Sequence, residues 1–337
     1  MTGPRRGGDD GLLIRPADDS DLPEILGLLA AAMSRDSSDA RFEALYRWKH
    51  AENAFGPSPA WVMTDPARDG RIAGVRVFMR WEFTMERETL RAVRAVDTAT
   101  HPDYQGRGIF TRLTMHALEA VREDGVHFVF NTPNDQSRPG YLKMGWQEVG
   151  RLSIACRPRS PLALARMLSA RVPAERWSEE TDLGIAAAEA LSDAASLDDL
   201  LRTRPASAAL RTRTTAEHLR WRYGTPLLHY RVVTGPGGIG DGFAAFRVRR
   251  RGPAREVVLA DVIAPGDDPR KRRSLARAVA RLHAGDYVLR LGGPAVSADG
   301  FLRVPRQGPV LTRRAVNAEA PTDLAAWALT LGDVELF

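Results

Sequence analysis

Asp97-Thr98-Ala99-Thr100-His101-Pro102-Asp103-Tyr104-Gln105-Gly106-Arg107-Gly108-Ile109-Phe110-Thr111-Arg112-Leu113 is the stretch from which the fold can be read. It reads as the end of a strand, a polar crossing, a glycine-bracketed turn and the start of an amphipathic helix. A helix N-terminus exposes unpaired N–H groups and a partial positive charge, so it suits a phosphate. Glycine lacks a Cβ, and Gly106 and Gly108 would let the backbone come close to phosphate oxygens.

Upstream, Leu12–Arg15 predicts a short strand, and the acidic run Asp18-Asp19-Ser20-Asp21 predicts a helix cap ahead of Leu22, Ile25, Leu26 and Leu29. A second helix is predicted over Arg41–His50, then a break at Asn53–Pro59. Strands follow at Ala60–Thr64, Arg71–Phe83 and Leu90–Thr100. Downstream, the pattern predicts a helix over Gly108–Arg122, a buried strand at Phe128–Phe130, a helical turn at Gly140–Gly145 and a strand at Trp146–Ile154.

The order β-α-α-β-β-β-α-β-α-β, with Gln105-Gly106-Arg107-Gly108, resembles the GNAT (Gcn5-related) N-acetyltransferase superfamily. That family carries a Gln or Arg, two residues, a Gly, one residue, then Gly or Ala, between its fourth strand and third helix. Gln105 and Gly108 match the first two fixed positions, and Phe110 stands where the last is usually small. A side chain of that size must point away from a pyrophosphate, or that backbone amide contacts it less closely. Tyr141-Leu142-Lys143-Met144-Gly145-Trp146 resembles the family's Tyr-x-x-x-Gly-aromatic element. The likeness spans Leu12–Ile154 and implies a mixed α/β sheet of the GNAT fold, acetyl-CoA as co-substrate, and acetyl transfer by direct attack of a primary amine. Gln105, Gly106, Arg107, Gly108, Ile109 and Phe110 would hold the pyrophosphate. Thr98, Ala99 and Thr100 would meet the pantetheine, and Asn131 would also contact the coenzyme. Tyr141 would protonate the leaving sulfur, and Asp97 or an ordered water would take the amine proton. The competing function is a non-catalytic acyl-CoA-binding or regulatory module.

The glycines do not make a dinucleotide fingerprint, because His101–Gln105 separates them from the strand. Gly235-Pro236-Gly237-Gly238 lies between two strands and predicts a hairpin turn, not a phosphate loop.

In the second half, Arg157-Pro158-Arg159-Ser160-Pro161 reads as a boundary, dividing the chain at 156/157 into a coenzyme-binding domain (10–156) and a C-terminal domain (157–337). Strands at Tyr230–Thr234, Gly242–Arg250 and Glu256–Ile263, a helix at Arg270–His283 and a strand at Tyr287–Leu291 repeat the first half's order. This predicts a degenerate second GNAT-like fold. Its equivalent turn, Pro265–Lys271, carries carboxylates that repel an anion. The apolar tail ending at Phe337 is expected to dock, and resemblance to tandem-fold acetyltransferases of the enhanced-intracellular-survival type implies that its carboxylate could enter the active site.

At 337 residues the chain is long for one core, given roughly 150 residues per domain. No apolar run approaches the roughly 20 residues that span a bilayer, and the N-terminus lacks the apolar core of a signal peptide. One cysteine, Cys156, excludes internal disulfides and thiolate metal clusters and fits a cytoplasmic protein. No metal is expected. The net charge of +6 comes almost wholly from arginine, since Lys49, Lys143 and Lys271 are the only lysines. Without aromatics interleaved in the arginine clusters, this argues against nucleic acid. A small-molecule or peptide amine is the expected partner, with self-association open.

Overall fold

The acidic run does start a helix. Asp18 accepts the Ser20 N–H at 2.9 Å, and Asp21 reaches back to the Asp18 N–H at 2.9 Å. This reciprocal cap satisfies two donors that a helix start leaves open. The computed structural model describes residues 5–6, 10–32, 39–293, 296–297 and 299–335. The chain divides into two compact units: residues 1–83, 89–150 and 310–322, and residues 84–88, 151–309 and 323–337. It therefore crosses between units several times, where the sequence suggested one cut at 156/157.

In the first unit the order is β1 (Arg5–Arg6), β2 (Leu13–Pro16), α1 (Leu22–Ala32), α2 (Ala40–His50), β3 (Ala60–Asp65), β4 (Arg71–Glu86), β5 (Glu88–Thr100), α3 (Ile109–Glu123), β6 (Phe128–Asn131), α4 (Arg138–Lys143) and β7 (Gln147–Arg151). In the sheet these strands lie as β1-β2-β3-β4-β5-β6, then Val310–Ala315, then β7. The late strand Val310–Ala315 pairs antiparallel with β6, setting Thr312 opposite Asn131.

Alternation along β4 sorts its side chains to two faces. Val75 and Val77 join a core with Leu22, Ile25 and Leu29 of α1 and Phe42 of α2. Phe78 joins the other core with Ile109, Leu113, Leu118 and Val121 of α3. Gly74 also faces α3: a Cβ there would lie 2.6 Å from Ile109 Cγ2 and 3.2 Å from the Ala99 carbonyl. The missing side chain lets the start of α3 sit directly on the sheet.

The second unit's sheet runs Leu302–Val304, Ile154–Pro158, Tyr287–Leu291, Ala254–Ile263, Gly238–Arg251, Arg231–Gly235, Ile185–Ala186. Gly235 and Gly238 close the expected hairpin. Gly238–Arg251 and Ala254–Ile263 pair antiparallel, and Tyr287–Leu291 returns parallel after the helix Pro269–Arg281. That helix start differs from the one in the first unit. Asp268 accepts the N–H groups of Arg270 and Lys271, so the chain's own carboxylate takes the place an anion would fill. Asp267 is held by Arg204 at 2.9 Å and Arg211 at 2.8 Å. Cys156 is buried among Ala254 and Tyr287, and burial pushes its thiol up. The tail is held through Glu335, whose carboxylate meets Arg247 at 2.6 Å and Arg249 at 2.7 Å. Burial favours its neutral form, but the two guanidiniums outweigh that and keep it low. Phe337, expected to bring its carboxylate to the site, lies outside the described residues.

Candidate active site

The turn before α3 is built from below. His101 accepts the Asp103 N–H at 3.2 Å, starting the short helical turn Pro102–Tyr104. Tyr104 is buried and its hydroxyl donates to Asp65 at 2.7 Å, which anchors the crossing. Beyond it, Gln105, Gly106, Arg107 and Gly108 are exposed. Gly106 and Gly108 have φ of +79° and +70°, values that favour glycine, and both face open space. No side chain caps α3. Its first N–H groups therefore point outward around an uncrowded backbone, the arrangement that suits a pyrophosphate. Ile109 turns inward under Gly74.

The adjoining strands part. Among the described residues, β5 and β6 pair in parallel at Ala92↔Phe128, Val93↔Val129 and Arg94↔Phe130. Beyond Arg94 the two strands part among the described residues, leaving a wedge whose β5 edge holds Thr98, Ala99 and Thr100. The Thr98 hydroxyl donates to the Val75 carbonyl at 3.0 Å, and Ala99 is buried toward α1. Across the wedge, Asn131 is buried and its Oδ1 accepts from the Thr312 hydroxyl. Its side chain is thus engaged within the sheet.

On the α3 side, Tyr141 of α4 is buried and its hydroxyl accepts from Arg76 Nη1 at 2.9 Å. Arg76 is fully buried and also donates to Thr114 Oγ1 at 2.7 and 3.1 Å. Its guanidinium lies 5.0 Å from the Phe110 ring centroid and 5.4 Å from that of Tyr141. The charge is met by hydroxyls and aromatic faces. Phe110 packs edge-on to Tyr141, with ring centroids 5.3 Å apart. The bulky residue of the motif thus points into this cluster, away from the open turn.

Asp97 belongs to the opposite face. Its φ of +38° is rare for a non-glycine residue and interrupts β5 where the wedge opens. Its Oδ2 accepts from Lys49 Nζ and from His50 Nε2, the latter at 2.8 Å, both from the end of α2. Burial alone would raise the Asp97 carboxyl, but the Lys49 ammonium and the His50 ring outweigh it and hold it below the ordinary carboxylate range. His50 goes the other way: burial lowers its pKa, more than Asp97 restores it. Its Nδ1 lies 3.0 Å from Ser58 Oγ.

The structure therefore joins Phe110 to Tyr141 and places Asp97 across the sheet from them. Sequence reasoning missed Gly74, Arg76, Lys49, His50 and Ser58. Lys49 and His50 were placed only as the end of a helix and Arg76 only as part of a strand, with no role assigned to any of them. Arg76, alone among the ionisable residues of Ile72–Met79, was the available signal.

Residues 13–149 match the family model for the acetyltransferase (GNAT) domain. No curated protein matches the chain. Among solved structures, a GCN5-related N-acetyltransferase from Anabaena variabilis superposes with a TM-score of 0.61 at 12% identity, over 91% of this chain and 73% of that one. One from Kribbella flavida gives 0.62 at 14%, over 94% and 74%. Eis1 from Mycobacterium abscessus gives 0.56 at 15%, over 91% and 74%. At these identities the likeness is one of fold.

Proposed function

The chain carries an acetyltransferase domain of the GNAT family over residues 13–149, and from that premise we propose that it moves an acetyl group from acetyl-CoA to a primary amine. The observation that carries this reading is the wedge between β5 and β6, flanked by the uncapped start of α3. Acetyl-CoA would supply an acyl carbon activated as a thioester. Gln105–Phe110 would bind the pyrophosphate through backbone N–H groups, and Thr98–Thr100 would hold the pantetheine through their unpaired edge. A backbone N–H on that edge would polarise the acyl oxygen. Tyr141 would donate its phenolic proton to the departing sulfur: Arg76 donates to the Tyr141 oxygen, which leaves the O–H hydrogen to point elsewhere.

The acceptor is a small-molecule or peptide amine, and a cytoplasmic setting agrees with the single buried thiol of Cys156. Among the described residues no helix is long and apolar enough to cross a membrane. Screening amines for CoA release tests the reading. Tyr141→Phe is expected to lower kcat by about 10²-fold with little change in the KM for acetyl-CoA, read by thiol titration. An unchanged kcat removes Tyr141 from the chemistry, and tight acetyl-CoA binding without CoA release for any amine points to the non-catalytic module.

A further inference from the structure

The end of α2 and the loop after it place an imidazole between a carboxylate and a hydroxyl: Asp97 Oδ2 lies 2.8 Å from His50 Nε2, and Ser58 Oγ lies 3.0 Å from His50 Nδ1. We propose that Ser58, His50 and Asp97 form a proton relay that takes the proton of the acceptor amine, with His50 as the base. The proposal rests on the acyl-transfer reading above and supplies that reading's missing partner to Tyr141.

Asp97 is not suited to be the base itself. The same carboxylate oxygen already receives Lys49 and His50, and the carboxyl stays ionised well into acid. What Asp97 does is fix the imidazole. With a carboxylate at Nε2, that nitrogen carries the ring hydrogen, and the lone pair of neutral His50 lies at Nδ1 facing Ser58. The carboxylate and imidazole act as they do in a Ser-His-Asp triad, but the hydroxyl here passes a proton instead of attacking.

Exposure gives the relay its direction. His50 is 5% exposed, whereas Ser58 is half-buried and its N–H is tied to the His50 carbonyl at 2.8 Å. Ser58 Oγ is the group set against Nδ1, so in this relay the proton reaches Nδ1 through it. The groups facing His50 are Lys49 and Tyr46 from α2, Asp97 from β5 and Ser58 from the loop, the Tyr46 ring lying 4.5 Å away. Burial disfavours the imidazolium most, Asp97 favours it and Lys49 disfavours it, so the net effect keeps the ring in the neutral form that a base needs.

The step balances. As the amine nitrogen bonds to the acyl carbon, its proton moves to Ser58 Oγ and the Ser58 proton moves to His50 Nδ1. The carbon–sulfur bond breaks, and the sulfur takes the phenolic proton of Tyr141. His50 then returns its proton to water through Ser58, and Tyr141 is reprotonated. Arg76 and Tyr141 lie on the α3 face and the relay on the α2 face, so the base and the acid stay apart.

The test uses the full chain, with Ser58→Ala and His50→Gln assayed for CoA release from pH 5.5 to 9 beside the wild type. Nitrogen-15 spectra of the His50 ring are recorded on the protein without acetyl-CoA. Ser58→Ala is expected to lower kcat by about 10–100-fold, leaving the KM for acetyl-CoA and the melting temperature unchanged. His50→Gln is expected to lose the acid limb of the pH profile, and the His50 ring to carry its hydrogen at Nε2. If the wild type turns over but Ser58→Ala keeps its kcat and His50→Gln its pH profile, or if the hydrogen sits at Nδ1, the relay is wrong and acyl transfer stands. A wild type that binds acetyl-CoA yet releases CoA with no amine overturns the relay together with the reading it rests on.

Discussion

Asp97 and His50 touch, yet their protonation works on stability in different pH windows. The folded pKa of His50 lies below its ordinary 6.5, so between 6.5 and that lower value the unfolded chain binds a proton that the folded chain refuses. Stability therefore falls as pH drops through this window. The Asp97 carboxyl is held below its ordinary 3.8. Its contribution is complete above that value and is lost only as pH falls through the lower folded one. Urea unfolding of wild type and His50→Gln at stepped pH is expected to show a shallower slope for the variant from pH 6.5 downward. Equal slopes would mean that His50 is not the residue resisting protonation. The departure of Phe110 from the motif was visible in the sequence, but its role was not, because Arg76 and Tyr141 reach it from a distant strand and helix.

At the scale of single elements, the fit between β4 and α3 decides where the turn presents its amides. Gly74→Ala places a Cβ against Ile109, Leu113 and the Ala99 carbonyl, a backbone atom that cannot swing aside. The expected cost is about 1–3 kcal/mol of stability, with a several-fold rise in the KM for acetyl-CoA as the start of α3 lifts. Gly106→Ala meets open space and should cost only the strain of its positive φ, about 1 kcal/mol. Thermal melting and acetyl-CoA titration of both variants separate the two effects, and a Gly74→Ala protein that melts and binds like the wild type would refute this account. Helical and strand periodicity made α3, β4, β5 and the turn legible, since each is a local pattern. Gly74 was read as one more strand residue, because what it makes room for lies across the sheet. The strand expected over Trp146–Ile154 divides for a similar reason: Gln147–Arg151 and Ile154–Pro158 go to different sheets, and nothing in a continuous extended pattern records that parting.

For the whole molecule, one boundary near Arg157 was the natural reading of a proline- and arginine-rich crossing. It misplaced Val310–Ala315, a short Val-Leu-Thr-Arg-Arg-Ala segment that no local signal assigns to a sheet whose other strands lie far upstream. Leu311 and Thr312 are fully buried there, and the strand shields the edge of β6. Thr312→Pro in the full chain removes one N–H and restricts the backbone at a buried position. It is expected to lower the stability of the first unit by about 3 kcal/mol or more. Urea unfolding followed through Trp61, Trp81 and Trp146 measures this, and an unshifted midpoint would show that the strand is dispensable.

The same strand sets a timetable for synthesis. β6 leaves the ribosome early, but its neighbour on one side arrives roughly 160 residues after β7, which takes about 10–30 s at ordinary elongation rates. Throughout that interval the nascent sheet has an open edge at Phe128–Asn131, the kind of surface on which chains mispair with one another. The wedge that would receive acetyl-CoA lies along the other side of β6. That side of the wedge gains its second flank only once Val310–Ala315 has been made, so a protein cut short before residue 310 carries every motif of the site beside an unpaired β6 edge.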